Sequence, residues 1–267
     1  MMRSLTIRLR ALAILALSSA LLTLCGCANA PYTGRSQLII MSEKEEMQLG
    51  LEASQQVLAE EKRETGTYRA RLVEKIGRDI AAVAERPDFD WQFHTIVSAE
   101  VNAFCLPGGR VFVYTGILEL VGNNEMELAA IMGHEIAHAL VRHGAERSSQ
   151  SGLAGAGLSV ASMAVGVATN SSMAAQATQL GGSVAAQLGF LLPYSRLHES
   201  EADHIGVILA AKAGYDPRGA ISLWEKMAAL NEGSEPLGIL STHPLNRERQ
   251  ENLRKLMPEA LSYYRKK

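Results

Sequence analysis

A single stretch, Met132-Gly-His-Glu-Ile-Ala-His-Ala-Leu140, sets the three polar side chains of an H-E-x-x-H pattern into an otherwise apolar segment. Asn123-Asn124 offers an N-cap, Glu125 lies in the first turn, and Glu127 stands three residues beyond Asn124, an order that opens helices. Met126, Leu128, Ala129, Ile131, Met132, Ile136, Ala137, Leu140 and Val141 then make the segment apolar on most sides, so the spacing predicts a buried helix. His134 and His138 lie one turn plus about 40° apart and share a face. Buried polar groups without partners are costly. A divalent metal satisfies two neutral imidazoles together, and zinc is the expected ion, about one per chain. Glu135, next to the first ligand, is placed to act as general base toward a water at an open metal position. The competing reading is a core helix that carries two histidines by chance; the caps and the apolar setting weigh against it.

A hydrolytic site needs a third protein ligand and an open fourth position. Ser195-Arg-Leu-His-Glu-Ser-Glu-Ala-Asp-His-Ile-Gly206 is a second helical segment with two candidate glutamates. Glu199 and Glu201 stand about 200° apart around a helix, so only one can face the metal. The Glu199 face continues through Ala202, Asp203, Gly206 and Ala210, small residues that let two helices approach; the Glu201 face carries Leu197, Ile205 and Ile208. Glu199 is the expected ligand. Asp203, one turn on, is placed to accept the free N–H of a ligand histidine. Glu201 is expected to be solvated or locally paired.

H-E-x-x-H followed by E-x-x-x-D on a later helix resembles the signature of metallopeptidase family forty-eight, the gluzincin group of HtpX, BepA, LoiP and Oma-like peptidases. Three further blocks are similar to that family: Val101 to Gly116, Tyr194-Ser-Arg196 and Ser241-Thr-His-Pro244. The five blocks occur in the family order and span roughly Ser42 to Leu256. The chain stops at Lys267, without the tetratricopeptide domain of the BepA branch, so the shorter LoiP-like lipoprotein architecture is the nearer expectation. The resemblance implies a zinc endopeptidase acting on misfolded or misassembled bacterial envelope proteins. It also implies that His243 can reach the metal, either as an inhibitory fourth ligand or as a donor to the substrate oxyanion. Without the resemblance, His243 reads as a surface-loop histidine before a helix-start proline. The family sometimes assigns proton donation to the residue matching Asp203, whereas spacing suggests an orienting role.

Arg3, Arg8 and Arg10 precede an apolar run from Ala11 to Leu24, which reads as an export signal too short to span a membrane comfortably. Leu24-Cys-Gly-Cys27 looks like a lipobox. Cys27 follows a small residue, so it is the expected lipidation site and residues 1–26 the signal peptide. Residues 27–41 are expected to be a tether from the membrane to a metallopeptidase domain over 42–267. The expected location is the bacterial envelope, lipid-anchored, facing the periplasm on the outer membrane.

Leaving out the signal peptide, 23 basic side chains face 28 acidic ones. Nothing in that balance invites nucleic acid as a partner, and none is expected. One thiol, Cys105, then remains and is expected to act as a small buried hydrophobe. A capping box of Ser42 and Glu45 opens a helix through about Lys62; a second runs from Thr67 to Glu85. Trp91–Ser98, Val101–Cys105 and Val111–Tyr114 read as short strands, with Val111–Tyr114 the candidate edge for strand addition of substrate. Residues 148–195 contain no charged side chain and no histidine. They are expected to form a lid or groove as a helical hairpin, with membrane contact and plain core packing as the competing readings. A helix over 218–231 follows, and Pro244 to Leu256 opens a charged helix read as a solvated closing element.

The expected architecture is therefore one α+β domain, a mainly helical small gluzincin with a short β-sheet beside the H-E-x-x-H helix. The expected activity is zinc-dependent endoproteolysis: His134, His138 and Glu199 as ligands, Glu135 as base, Asp203 in support. A zinc-stabilised chaperone or assembly factor with latent peptidase is the alternative.

Overall fold

The computed structural model describes residues 27–122, 124–152, 194–231, 238–244 and 246–265. Asn123, residues 1–26 (the expected signal peptide) and most of the uncharged stretch, 153–193, lie outside the described residues, so the lid, membrane-contact and packing readings of that stretch do too.

Ser42 caps α1 (Glu43–Glu60), and its side chain and that of Glu45 form the reciprocal capping box. Thr67 caps α2 (Tyr68–Ala81), which buries Leu72, Val73, Ile76 and Ile80 along one stripe. That helix stops at Ala81, ahead of the expected Glu85, and Glu85 itself takes a positive φ of 54°. After the sheet come α3 (Thr115–Val121) and the H-E-x-x-H helix α4 (Glu125–Leu140), whose N-cap Asn124 accepts from the N–H groups of Met126 and Glu127. Ser195 caps α5 (Arg196–Lys212). The chain closes with α6 (Gly219–Asn231), α7 (Gly238–Thr242) and α8 (Arg247–Tyr263). Among the described residues no helix is long and apolar enough to cross a membrane.

A two-stranded hairpin pairs β1 (Cys27–Asn29) with β2 (Ser36–Leu38). The main sheet contains β3 (Arg63–Glu64), β4 (Gln92–Ile96), β5 (Ala103–Leu106) and β6 (Arg110–Tyr114), in the order β3-β4-β6-β5. β6 lies parallel to β4 and antiparallel to β5, so the expected edge at Val111–Tyr114 is an interior strand and β5 is the edge. The physical reason is that β6 has a hydrogen-bonded neighbour on each side, and Val111, Phe112 and Val113 are fully buried as well. Gly108 (φ 82°) and Gly109 (φ 89°) make the β5–β6 turn in a region that side chains rarely enter.

α4 occupies the centre, packed against α5, α6, α2 and β5. α4 and α5 meet backbone to backbone. A Cβ on Gly133 would lie 2.6 Å from Gly206 O, and one on Gly206 would lie 2.7 Å from His134 N. The small-residue face expected of the second ligand helix is therefore what brings Glu199 to the histidines.

Two expectations about the ends of the domain are corrected. Residues 27–41 are docked rather than strung out as a tether. Tyr32 donates to Ala84 O at 2.8 Å, Gln37 Nε2 to Val141 O at 2.7 Å, and Ile40 N to Ser149 Oγ at 3.0 Å. α8 is not a solvated closing element, because Arg249, Leu253, Met257 and Ala260 bury one of its faces.

Candidate metal centre and active site

His134 and His138 point from one face of α4 toward α5, as their spacing requires. Their Nε2 atoms lie 3.1 Å apart. Glu199 Oε1 is 3.4 Å from His138 Nε2, and its Oε2 is 3.5 Å from His134 Nε2. His243, carried just beyond α7, joins them: its Nδ1 stands 3.3 Å from His134 Nε2 and 3.0 Å from Glu199 Oε1. All four side chains are buried. A tetrahedron of nitrogen and oxygen atoms at zinc bond lengths of about 2.0–2.1 Å has edges of about 3.3–3.4 Å. Five separations within the cluster, two to Glu199 Oε1 and one to its Oε2, run from 3.0 to 3.5 Å, close to that figure. Three imidazoles and one carboxylate also suit zinc in kind. The donor set fits the metal.

The charges around the cluster agree. Burial alone would lower the His134 imidazole, but Asp203 and Glu199 outweigh it and push it up to about 10. Burial pushes His138 well below its ordinary value. Burial would raise Glu199, yet hydrogen bonds from His134, His138 and His243 hold its carboxyl far below the usual range. Imidazole and carboxylate ligands bind a metal only when deprotonated, so its affinity at this site should fall in acid.

Asp203 Oδ1 lies 3.0 Å from His134 Nδ1, a close pairing without the aligned hydrogen bond expected of it. The sequence reading missed its other partner. Arg249 of α8, 1 % exposed, donates to both Asp203 oxygens at 2.8 Å, and its Nη1 lies 2.6 Å from Glu199 Oε2. The same Nη1 donates to Pro244 O at 3.1 Å, beside His243. Glu201 proves locally paired rather than solvated: His143 Nε2 is 3.0 Å away and Arg35 Nε donates at 2.9 Å. His143 and His198 were also missed. The available signals were the spacing of His143 five residues past His138 and the position of His198 directly before Glu199.

Glu135 is buried, and its Oε1 has no hydrogen-bond partner. Burial, only partly offset by His243 and His134, raises its carboxyl above the ordinary value. A cavity of about 330 Å³ opens beside it, bounded by Leu49, Ala53 and Val57 of α1, by Phe104 and Cys105 of edge strand β5, and by Tyr194 and His243. Tyr194 stacks on the His138 ring at 3.9 Å between centroids. Cys105, read as a buried hydrophobe, lines this groove, and burial pushes its thiol far up; it is not a thiolate nucleophile.

Residues 67–257 match the family model described as Peptidase family M48. Mitochondrial metalloendopeptidase OMA1 of Schizosaccharomyces pombe is 37 % identical over 192 residues, covering 70 % of this chain and 53 % of the relative. Metalloendopeptidase OMA1, mitochondrial, of Bos taurus is 36 % identical over 250 residues, 87 % of this chain and 46 % of the relative. Beta-barrel assembly-enhancing protease of Escherichia coli (strain K12) is 26 % identical over 220 residues, 82 % and 45 %. The chain thus spans about half the length of the curated relatives it matches. These similarities overturn the expected placement in a bacterial envelope, facing the periplasm on the outer membrane, because the relatives at 36–37 % identity are mitochondrial peptidases and the bacterial one is more distant.

Proposed function

The chain belongs to peptidase family M48, and from that premise we propose that it is a zinc-dependent endopeptidase for unfolded or misassembled proteins. The observation that carries the reading is the cluster of four buried donor atoms beside Glu135, whose Oε1 accepts no hydrogen bond and faces His243 Nε2 at 3.6 Å. His134, His138 and Glu199 would hold zinc, which would supply Lewis acidity for the scissile carbonyl and the attacking water. Glu135 takes the proton of that water and hands it to the leaving amine, a task suited to a carboxyl whose pKa burial has raised. Asp203 orients His134. The groove beside β5 accepts an extended chain by pairing with the edge strand, which favours unfolded segments over packed domains. The name of the beta-barrel assembly-enhancing relative is in keeping with misassembled substrates.

Purified protein is expected to carry about one zinc. His134→Ala, His138→Ala and Glu199→Ala should remove it, while Glu201→Ala should still load. Elemental analysis checks this, and zinc kept by Glu199→Ala but lost by Glu201→Ala would reverse the assignment.

His243 is 2 % exposed and its Nδ1 completes the donor set, which argues against a surface-loop histidine. We read it as an inhibitory ligand that fills the position water needs. His243→Ala should then raise basal cleavage of unfolded casein and self-cleavage. A lower turnover at full zinc occupancy would make it an oxyanion donor instead.

Cys27, the first residue of β1, is proposed as a lipidation site that holds the domain at a membrane surface. Labelled palmitate should enter the wild-type chain and not Cys27→Ser; equal labelling of both would refute this.

A further inference from the structure

We propose that the metal centre extends beyond its ligands through His143 to the N-terminal hairpin, with His143 acting as the positioning residue for His138. The inference rests on the zinc reading of His134, His138 and Glu199. His143 Nδ1 lies 2.8 Å from His138 Nδ1. Two ring nitrogens facing each other share one proton, so one donates and the other accepts. His138 turns Nε2 toward the donor cluster, where a ligand must present a lone pair. Its Nδ1 therefore carries the hydrogen and donates. His143 Nδ1 accepts, which places the proton of His143 on Nε2, and that nitrogen faces Glu201 Oε2 at 3.0 Å. One assignment of protons satisfies the whole series.

Ligand histidines ordinarily donate their second N–H to a carboxylate, a carbonyl or water. Here an imidazole stands between the ligand and its carboxylate, and the carboxylate is held from the far end of the chain. Arg35 Nε donates to Glu201 Oε2 at 2.9 Å, and Thr33 donates to the other oxygen. Arg35 also grips Glu146 with two bonds, of 2.9 and 2.7 Å. Glu146 in turn faces His198 Nε2 at 3.1 Å, and the His198 ring stacks on His143 with centroids 4.4 Å apart. His143, with no exposed surface, is thus fixed at both edges and on one face. Both Arg35 and Thr33 belong to the turn between β1 and β2. Docking of that hairpin sets the carboxylate, the carboxylate sets the His143 tautomer, and His143 sets the ring angle and basicity of His138.

A cluster of this kind could serve folding alone, so the test must separate positioning from packing. Zinc affinity is measured by competition with a chromophoric chelator, the ligand field by visible absorption of the cobalt-substituted protein, and folding by melting of the metal-free chain. His143→Leu should weaken zinc about 10–100-fold and change the cobalt spectrum. His143→Gln should recover most of both, since an amide offers an acceptor to His138 and a donor to Glu201. Arg35→Ala, on a partly exposed side chain, should weaken zinc by a smaller factor and add little to the His143→Leu loss. Unchanged zinc affinity and cobalt spectra in His143→Leu and Arg35→Ala would overturn the proposal. So would losses that track metal-free melting and are not rescued by glutamine. Should His143→Leu fail to fold, His143→Gln and Arg35→Ala decide between these outcomes. A wild-type chain that binds no zinc would instead remove the premise, and with it the proposal.

Discussion

Glu135→Gln protein is expected to fold, retain its zinc and lose cleavage of unfolded casein by about 10²–10⁴-fold, the range of a general-base contribution. The substitution keeps the volume and one oxygen of a side chain that is 2 % exposed, so packing in α4 is preserved. It removes the only feature the mechanism needs there, a basic carboxylate. None of the four donor atoms belongs to Glu135, which is why metal content should not follow activity down. Two measurements on one sample, elemental zinc and the rate of casein cleavage, check the outcome. Near-normal turnover at full zinc would assign the proton transfer to another group or the activity to a contaminant. The same variant separates the peptidase reading from the zinc-stabilised assembly factor, because an assembly role would survive it. It should also hold uncut chains in the groove beside β5.

The H-E-x-x-H helix was legible because everything that defines it is local: the Asn124 cap, the four-residue spacing and the apolar surround. Glu199 was legible one step further away, because the small residues on its face predict the backbone contact between Gly133 and Gly206. Contacts of long sequence separation were not legible. Nothing local marks β6 as interior, since that depends on its parallel pairing with β4 across the intervening β5. Arg35 reaches Glu146 over 111 positions, and the apolar run Leu38 to Met41 does not say by itself what it docks against. The run Asn246 to Lys255 has the alternating charges of a solvated helix, and its composition cannot single out the one arginine that turns inward. A buried charge becomes visible only when its partners do, and those of Arg249 lie on α5.

Arg249→Leu should consequently be the most destabilising of the substitutions considered. The guanidinium is nearly fully buried between Asp203 and Glu199 and lies over the Trp224 ring at 4.5 Å. Removing one partner from such a set leaves buried carboxylates uncompensated, at a cost of about 3–5 kcal/mol. For a domain of this size that corresponds to a fall in melting temperature of roughly 6–20 °C. The loss should be larger in the metal-free protein than in the zinc-loaded one. Without metal, Arg249 is the guanidinium that faces both Glu199 and Asp203; with zinc bound, the ion would compensate Glu199 directly and leave only Asp203 short of a partner. Arg249→Lys should recover part of the difference, because an ammonium keeps the charge but cannot reproduce the two parallel bonds to Asp203. Thermal melts with and without zinc read both effects. A leucine variant within about 1 kcal/mol of wild type in both states would mean that water reaches the two carboxylates, and that Arg249 does not hold the second ligand helix to α8.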